Sequence, residues 1–294
     1  MLRATDGLIP GGSTILHYVS PDGVVLYLAG GALAGTQGFE LGSGADGLGG
    51  VASAEDEWDA AGDGIGEYWL GVSFKHGTLD LPIRVSGTTA DEFRRRRDWL
   101  RQLMPRERQG WMCAYGSGSG WSWIPVRRGS IKPAYTRDPA GKNSATFDVL
   151  LLADIPLSRQ MDDRPRDWVN TTGASHTAGS LRLYPGRERH GWPKFVFDGP
   201  GELRLVYAGN DVPIPYIEAG EQLQIDTTNG AQILRARRPG QPGLGRNLWP
   251  LMRGRQFANP LPPGEVTQVN FTVTRATKST RLAARVPRWQ EGLI

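Results

Sequence analysis

Between residues 191 and 254 the chain repeats one pattern, a short run in which every second residue is apolar and then a turn. In Glu202–Ala208, Leu203, Leu205 and Tyr207 alternate with Glu202, Arg204 and Val206; in Glu221–Asp226, Leu223 and Ile225 alternate with Gln222 and Gln224. A period of two marks a strand with one buried face. Gly199-Pro200-Gly201, Gly209-Asn210, Asn229-Gly230, Pro239-Gly240 and Pro242-Gly243 supply the turns. Short strands at this spacing are expected to build a β-sandwich or barrel. The 40 Gly and 21 Pro among 294 residues extend the expectation of a mainly β fold to the whole chain.

This length predicts two domains, each large enough for its own core. In the first half, Thr14–Val19 and Val24–Leu28 flank Pro21-Asp22-Gly23 and read as a hairpin. Residues 30–66 lose periodicity and read as an extended loop rich in Gly, Ala, Ser and acids. Glu67–Phe74, Asp80–Ser86, Trp111–Tyr115, Trp121–Val126 and Ala145–Ala153 are strand candidates. One helix is expected over 89–104. Thr89 and Glu92 form a T-x-x-E capping box, Phe93, Leu100, Leu103 and Met104 form one stripe, and Pro105 stops it. The domains are expected at 1–157 and 173–275, with a polar linker at 158–172 and a final strand or arm at 276–294.

Charge is uneven. The net charge is +4, yet from Gly42 to Phe74 there is no Lys or Arg and there are seven acids. Basic residues cluster at Arg94–Arg97, Arg235–Arg238 and near the C-terminus. A Gly-rich acidic loop has too few apolar groups to offset the cost of ordering it, ~1–2 kcal/mol per residue, so support from a neighbouring chain is expected. The nearest opposite charge in the first domain is on the 89–104 helix. Glu55, Asp56, Glu57 and Asp59 are therefore the candidate interface acids, and Arg94, Arg95, Arg97 and Arg101 their candidate partners across a subunit boundary. Cys113 stands alone, which allows no disulfide within the chain and fits a reducing cytoplasm. Residues 1–20 lack a signal-peptide pattern, and no apolar run approaches the ~20 residues that span a bilayer.

A resemblance emerges from Trp192-Pro193-Lys194-Phe195 with Gly199-Pro200-Gly201, then Ile225-Asp226-Thr227, then Asn247-Leu248-Trp249-Pro250 before Gly254. In order and spacing these resemble the C-terminal domain of phage distal tail proteins, and more narrowly the minor tail proteins of long-tailed phages infecting actinobacteria. The resemblance implies a split-barrel first domain with one helix and a galectin-like β-sandwich second domain. It implies a non-enzymatic virion protein of the tail tip, assembled in the host cytoplasm. Six copies would form a ring between the tail tube protein and the tail hub protein, with the tape measure protein and receptor-binding or other baseplate proteins as further partners. DNA would pass through the ring without being retained, and no membrane would be involved.

The motifs that carry chemistry are missing or incomplete. Gly42-Ser43-Gly44-Ala45-Asp46-Gly47 matches G-x-G-x-x-G but has no strand before it and no helix after it. His17, His76, His176 and His190 lack partners at metal-ligand spacing and read as loop residues. Asp59 and Asp63 lack the alternation of a calcium loop. No G-x-S-x-G elbow occurs. No catalytic residue, cofactor or metal is therefore expected. Two other classes stay open. A β-sandwich carbohydrate-binding module or glycosidase would use Trp192 or Trp249, or two facing carboxylates among Glu202, Asp211, Glu218 and Asp226. A DNA-binding accessory protein would need a contiguous basic stripe, and Asp91, Glu92 and Asp98 dilute the one on the helix.

Overall fold

The computed structural model describes residues 14–50, 54–60, 65–135, 141 and 143–294. The chain divides into two compact units, Met1–Gln160 with Glu291–Ile294, and Met161–Gln290.

The first unit holds β1 (Ile15–Val19), β2 (Val25–Ala29), β3 (Phe39–Leu41), β4 (Ala54–Ala60), β5 (Glu67–Phe74), β6 (Gly77–Ser86), α1 (Ala90–Leu103), β7 (Gly110–Gly116), β8 (Gly120–Pro133), β9 (Ser144–Ala153) and β10 (Ser158–Gln160). Its main sheet runs β2-β1-β7-β8-β9-β6-β3, antiparallel throughout, with β10 beside β8. Two devices curl this sheet into a nearly closed barrel. β8 pairs with β7 through its first half and with β9 through its second, and the register shifts between Arg128 and Ser130. Gly129 sits at that shift, where a Cβ would lie 3.2 Å from Leu150 O; such a bulge bends a strand and strengthens its twist. At the seam, the Gln37 side chain replaces a strand. It donates to Val25 O at 2.9 Å and accepts from the Tyr27 N–H at 3.1 Å, so the edge of β2 is satisfied just before β3 begins.

Inside the barrel, Leu16, Tyr18, Leu79, Leu81, Ile83, Val85, Ile124 and Val149 are buried, and α1 adds Phe93, Leu100 and Leu103 to the same core. The expected cap of α1 forms with a change. Thr89 accepts from the Glu92 N–H at 3.2 Å, but Glu92 returns to the Thr88 N–H at 2.7 Å rather than to Thr89.

The second unit is a two-layer sandwich. One sheet runs β11-β20-β13-β16-β17-β18, formed by Arg166–Val169, Arg281–Arg285, Lys194–Asp198, Gln222–Asp226, Ile233–Arg237 and Arg246–Asn247. The other runs β12-β19-β14-β15, formed by His176–Leu183, Thr267–Thr274, Gly201–Tyr207 and Asn210–Ile217. Phe195, Phe197, Leu223, Ile225 and Leu282 of the first sheet meet Leu203, Leu205, Val269, Phe271 and Val273 of the second in one core. The alternations read in 202–207 and 222–226 are thus the inward faces of β14 and β16.

The stretches read as loop, linker and final strand or arm all carry strands. The loop at 30–66 carries β3 and β4, and β4 pairs with β5 in a separate two-stranded sheet; residues 51–53 and 61–64 lie outside the described residues. The described part of β4 is exposed on both faces, and a strand with no buried face shows no period of two. The 158–172 linker carries β10 and β11. The 276–294 arm supplies β20, an interior strand of the sandwich with Leu282 and Ala284 buried, and then returns to the first unit. There the Leu293 N–H donates to Leu48 O at 2.8 Å. The Ser122 and Ser158 hydroxyls donate to the carbonyls of Leu293 and Gly292, and Leu293 is buried in the barrel core.

Candidate functional site

The predicted site residues occupy two surfaces of the first unit. Glu55, Asp56, Glu57 and Asp59 lie on β4, all exposed. Opposite them β5 presents Tyr68, Trp69, Leu70 and Val72, also exposed. Trp58 and Trp69 are paired across the ribbon and remain 53% and 56% exposed. The acids are partly engaged within the ribbon and its flank: Asp56 accepts from the Trp69 indole N–H at 3.0 Å, and Glu55 pairs with Lys75 at 2.6 Å. A two-stranded ribbon is marginal by itself in water, and this one displays an apolar set rimmed by carboxylates. Composition signalled the acids; the apolar component lay in β5, which reads as an ordinary strand until its lack of a covering layer is seen.

On α1, Arg94 pairs with Asp91 at 2.8 Å and Arg97 with Asp98 at 2.9 Å. The hydrogen bond from Arg97 holds the Asp98 carboxyl below its ordinary range. Arg96, which was not singled out, pairs with Glu92 at 2.7 Å and donates to Ser86 O at 2.5 Å, fixing the helix to β6. Among the described residues Arg95 and Arg101 are in no ion pair and are exposed. No ion pair among the described residues joins the β4 acids to the α1 arginines, so within one chain the two groups are separate surfaces. The arginines form no continuous basic stripe, because two of the four are neutralised locally.

A further surface was not foreseen. On the side of β2, β1, β7 and β8 turned away from the barrel core, Tyr27, His17, Cys113 and Trp123 lie in cross-strand register, with Tyr115 opposite Trp121 and Trp111 opposite Pro125. No residue in this set carries a formal charge near neutral pH, although solvated sheet faces are usually polar. His17 is therefore a strand residue and not a loop residue. Its ring stands edge-on to Trp121 at 5.2 Å, and burial lowers its pKa. Burial also pushes the Cys113 thiol up to about 11, which leaves it a poor nucleophile.

The other tested chemistry finds little support. Gly42–Gly47 does follow a strand, β3, contrary to the expectation, but it leads into a β-bridge between Asp46 and Asp80 and not into a helix. In the sandwich each candidate carboxylate has its own cation: Glu202 with Arg275 at 3.5 Å, Asp211 with Arg204 at 2.6 Å, Glu218 with Arg238 at 3.6 Å, and Asp226 with Lys194 at 2.6 Å. Among the described residues no group of three or more His, Cys, Asp or Glu is arranged to hold a metal; Asp63 lies outside them.

No family model matches the sequence, and no curated protein does. The fold does have relatives among solved structures. The Dit protein of phage SPP1, described as a paradigm of the hub adsorption apparatus in phages infecting Gram-positive bacteria, superposes with a TM-score of 0.62 at 14% identity, over 95% of this chain and 99% of that one. This is the fold of a phage distal tail protein. A chain of the phage p2 baseplate in its activated conformation aligns over 96% of this chain at 11% identity, with a TM-score of 0.48. The likeness to the SPP1 protein covers residues of both units.

Proposed function

We propose that the protein is a structural, non-enzymatic component of a phage tail tip. Six copies form a ring that joins the tail tube protein to the tail hub and lines the channel through which DNA passes. The first units build the ring. The second units carry further baseplate or receptor-binding parts, and the tape measure protein is contacted during assembly in the host cytoplasm. The observation that carries this reading is the match to the SPP1 Dit protein along nearly the full length of both chains.

The β4–β5 ribbon supports it. A cyclic ring sets one surface of each copy against a different surface of the next. An exposed ribbon that the described residues leave uncovered has the form of such a surface. The interface at Glu55, Asp56, Glu57 and Asp59 becomes an apolar clasp centred on Trp58 and Trp69, with the acids at its rim. Arg95 and Arg101 are the cations most available to meet them, while Arg94 and Arg97 must share their charge with Asp91 and Asp98. Native mass spectrometry and electron microscopy of the protein, alone and with its tube and hub proteins, test this. A closed oligomer with a central hole is expected, and a strictly monomeric protein under all these conditions contradicts it.

A further inference from the structure

The second unit carries a depression of about 440 Å³ formed by the turn after β16, the 3₁₀ turn Trp249–Met252 and the segment that follows it. Trp249 is its aromatic lining residue. The indole N–H donates to Gln232 O at 3.0 Å, and the Trp249 backbone N–H donates to the Asn247 side chain at 3.1 Å, so the ring is held in one orientation. The Gln232 amide is itself locked, donating to Phe257 O at 2.7 Å and accepting from the Phe257 N–H at 3.3 Å. Arg253, at φ 52° and ψ 47°, and Gly254, at φ 81°, turn the chain so that Arg255 and Gln256 line the same depression. Asn229 also lines it.

The frame and the rim differ in chemistry. The frame is fully hydrogen-bonded. At the rim, among the described residues, no protein group engages the side-chain amides of Asn229 and Gln256, and both residues are exposed. A fixed aromatic face with two unengaged amides beside it matches one ligand class well. A sugar ring has an apolar face of C–H groups and an edge of hydroxyls, and each amide offers both a donor and an acceptor to such hydroxyls. Because the ring and backbone are already ordered, little entropy is lost on binding. Trp249, the single aromatic among the lining residues, offers a nucleobase one stacking face, so adenosine serves as the control below. An anion is disfavoured because Asp211 interacts electrostatically with Arg255, the only cation there. The groove over β13, β16 and β20 is a weaker candidate. Its aromatic lining residue, Phe195, is buried in the sandwich core, and Lys194 and Asp226 in it engage each other.

We propose that this depression is a subsite for a neutral saccharide ring, which lies on Trp249 and hydrogen-bonds through adjacent hydroxyls to Asn229 and Gln256. The proposal stands on the second unit alone and does not require the tail reading. The test uses the full chain labelled with ¹⁵N, following the Trp249 indole signal, assigned through its contact with Gln232 and by Trp249→Phe. Glucose, galactose, N-acetylglucosamine, maltose and cellobiose are each titrated to high millimolar concentration, with adenosine as a control. At least one sugar is expected to shift the signal saturably. Asn229→Ala and Gln256→Ala are each expected to weaken that binding ~3–10-fold with the melting temperature unchanged. The proposal is overturned if none of the five sugars shifts the signal, if neither variant weakens the binding, or if adenosine alone binds.

Discussion

Replacing Trp58 and Trp69 together by serine separates the ribbon's role in association from any role in folding. Both rings sit on a two-stranded sheet outside the two cores and are about half exposed. A tryptophan buries ~150–250 Å² when fully covered, so each ring leaves ~100 Å² for a neighbouring subunit to cover. At ~25 cal/mol per Å² this is ~2.5 kcal/mol per residue and ~5 kcal/mol for the pair at each boundary. The double variant should therefore weaken each subunit contact by roughly 10³–10⁴-fold. Within one chain the loss is one cross-strand contact, ~0.2–1 kcal/mol, and the exposed hydrogen bond from Trp69 to Asp56, both confined to the ribbon. Native mass spectrometry over a concentration series reads the first quantity, and thermal melting by circular dichroism reads the second. The expected result is a folded monomer with a near-normal melting temperature that no longer closes into a ring. A variant that assembles at wild-type concentrations refutes the apolar clasp. A variant that melts far below wild type shows instead that the rings support the chain's own fold.

Charge reversal probes the rim of the same clasp. Glu57→Ala alone should change assembly by ~0–1 kcal/mol, whereas Glu55, Asp56 and Glu57 all changed to Lys should impair it at low salt, with partial rescue by Arg94, Arg95 and Arg97 changed to Glu; normal assembly of the triple acid variant rules out the electrostatic part. Leu293→Ala removes a buried side chain from the barrel core and should cost the first unit ~2–5 kcal/mol in a denaturant titration. Burial raises the Asp226 carboxyl, but hydrogen bonds from Lys194 and Thr228 outweigh it and hold the pKa below its ordinary 3.8. A carboxyl depressed in the folded state contributes stability above its unfolded pKa and loses it as pH falls through the folded one, so Asp226→Asn should flatten the acid limb of the pH–stability profile below about pH 4. On unassembled chains, limited proteolysis should cut within 158–172 before it cuts within 202–237; the reverse order argues against that boundary.

What could be read from the sequence was whatever a local period encodes. Leu203, Leu205 and Tyr207 point inward because alternate residues of a strand share a face, and that holds whichever sheet receives them. The start of α1 was legible because Thr89 and Glu92 act within one turn, and the turn glycines act over similarly short range. The acids of 55–59 were visible as composition, but their strand was not, since a ribbon exposed on both faces leaves no alternation to detect.

Only the tertiary structure decided the rest, because those features depend on partners distant along the chain. Gln37 is an unremarkable polar residue until the curl of the barrel brings the edge of β2 to it. The uncharged outer face of β1, β2, β7 and β8 exists only once their registers align. Trp249 is one of two candidate sugar-stacking rings in the sequence, and becomes the wall of a depression only when the turn after β16 and the segment at 254–256 fold beside it. The tail at 291–294 carries no pattern of its own; Leu293 belongs to the first unit because Leu48 and Ser122, far back in sequence, present the carbonyl and the hydroxyl that receive it.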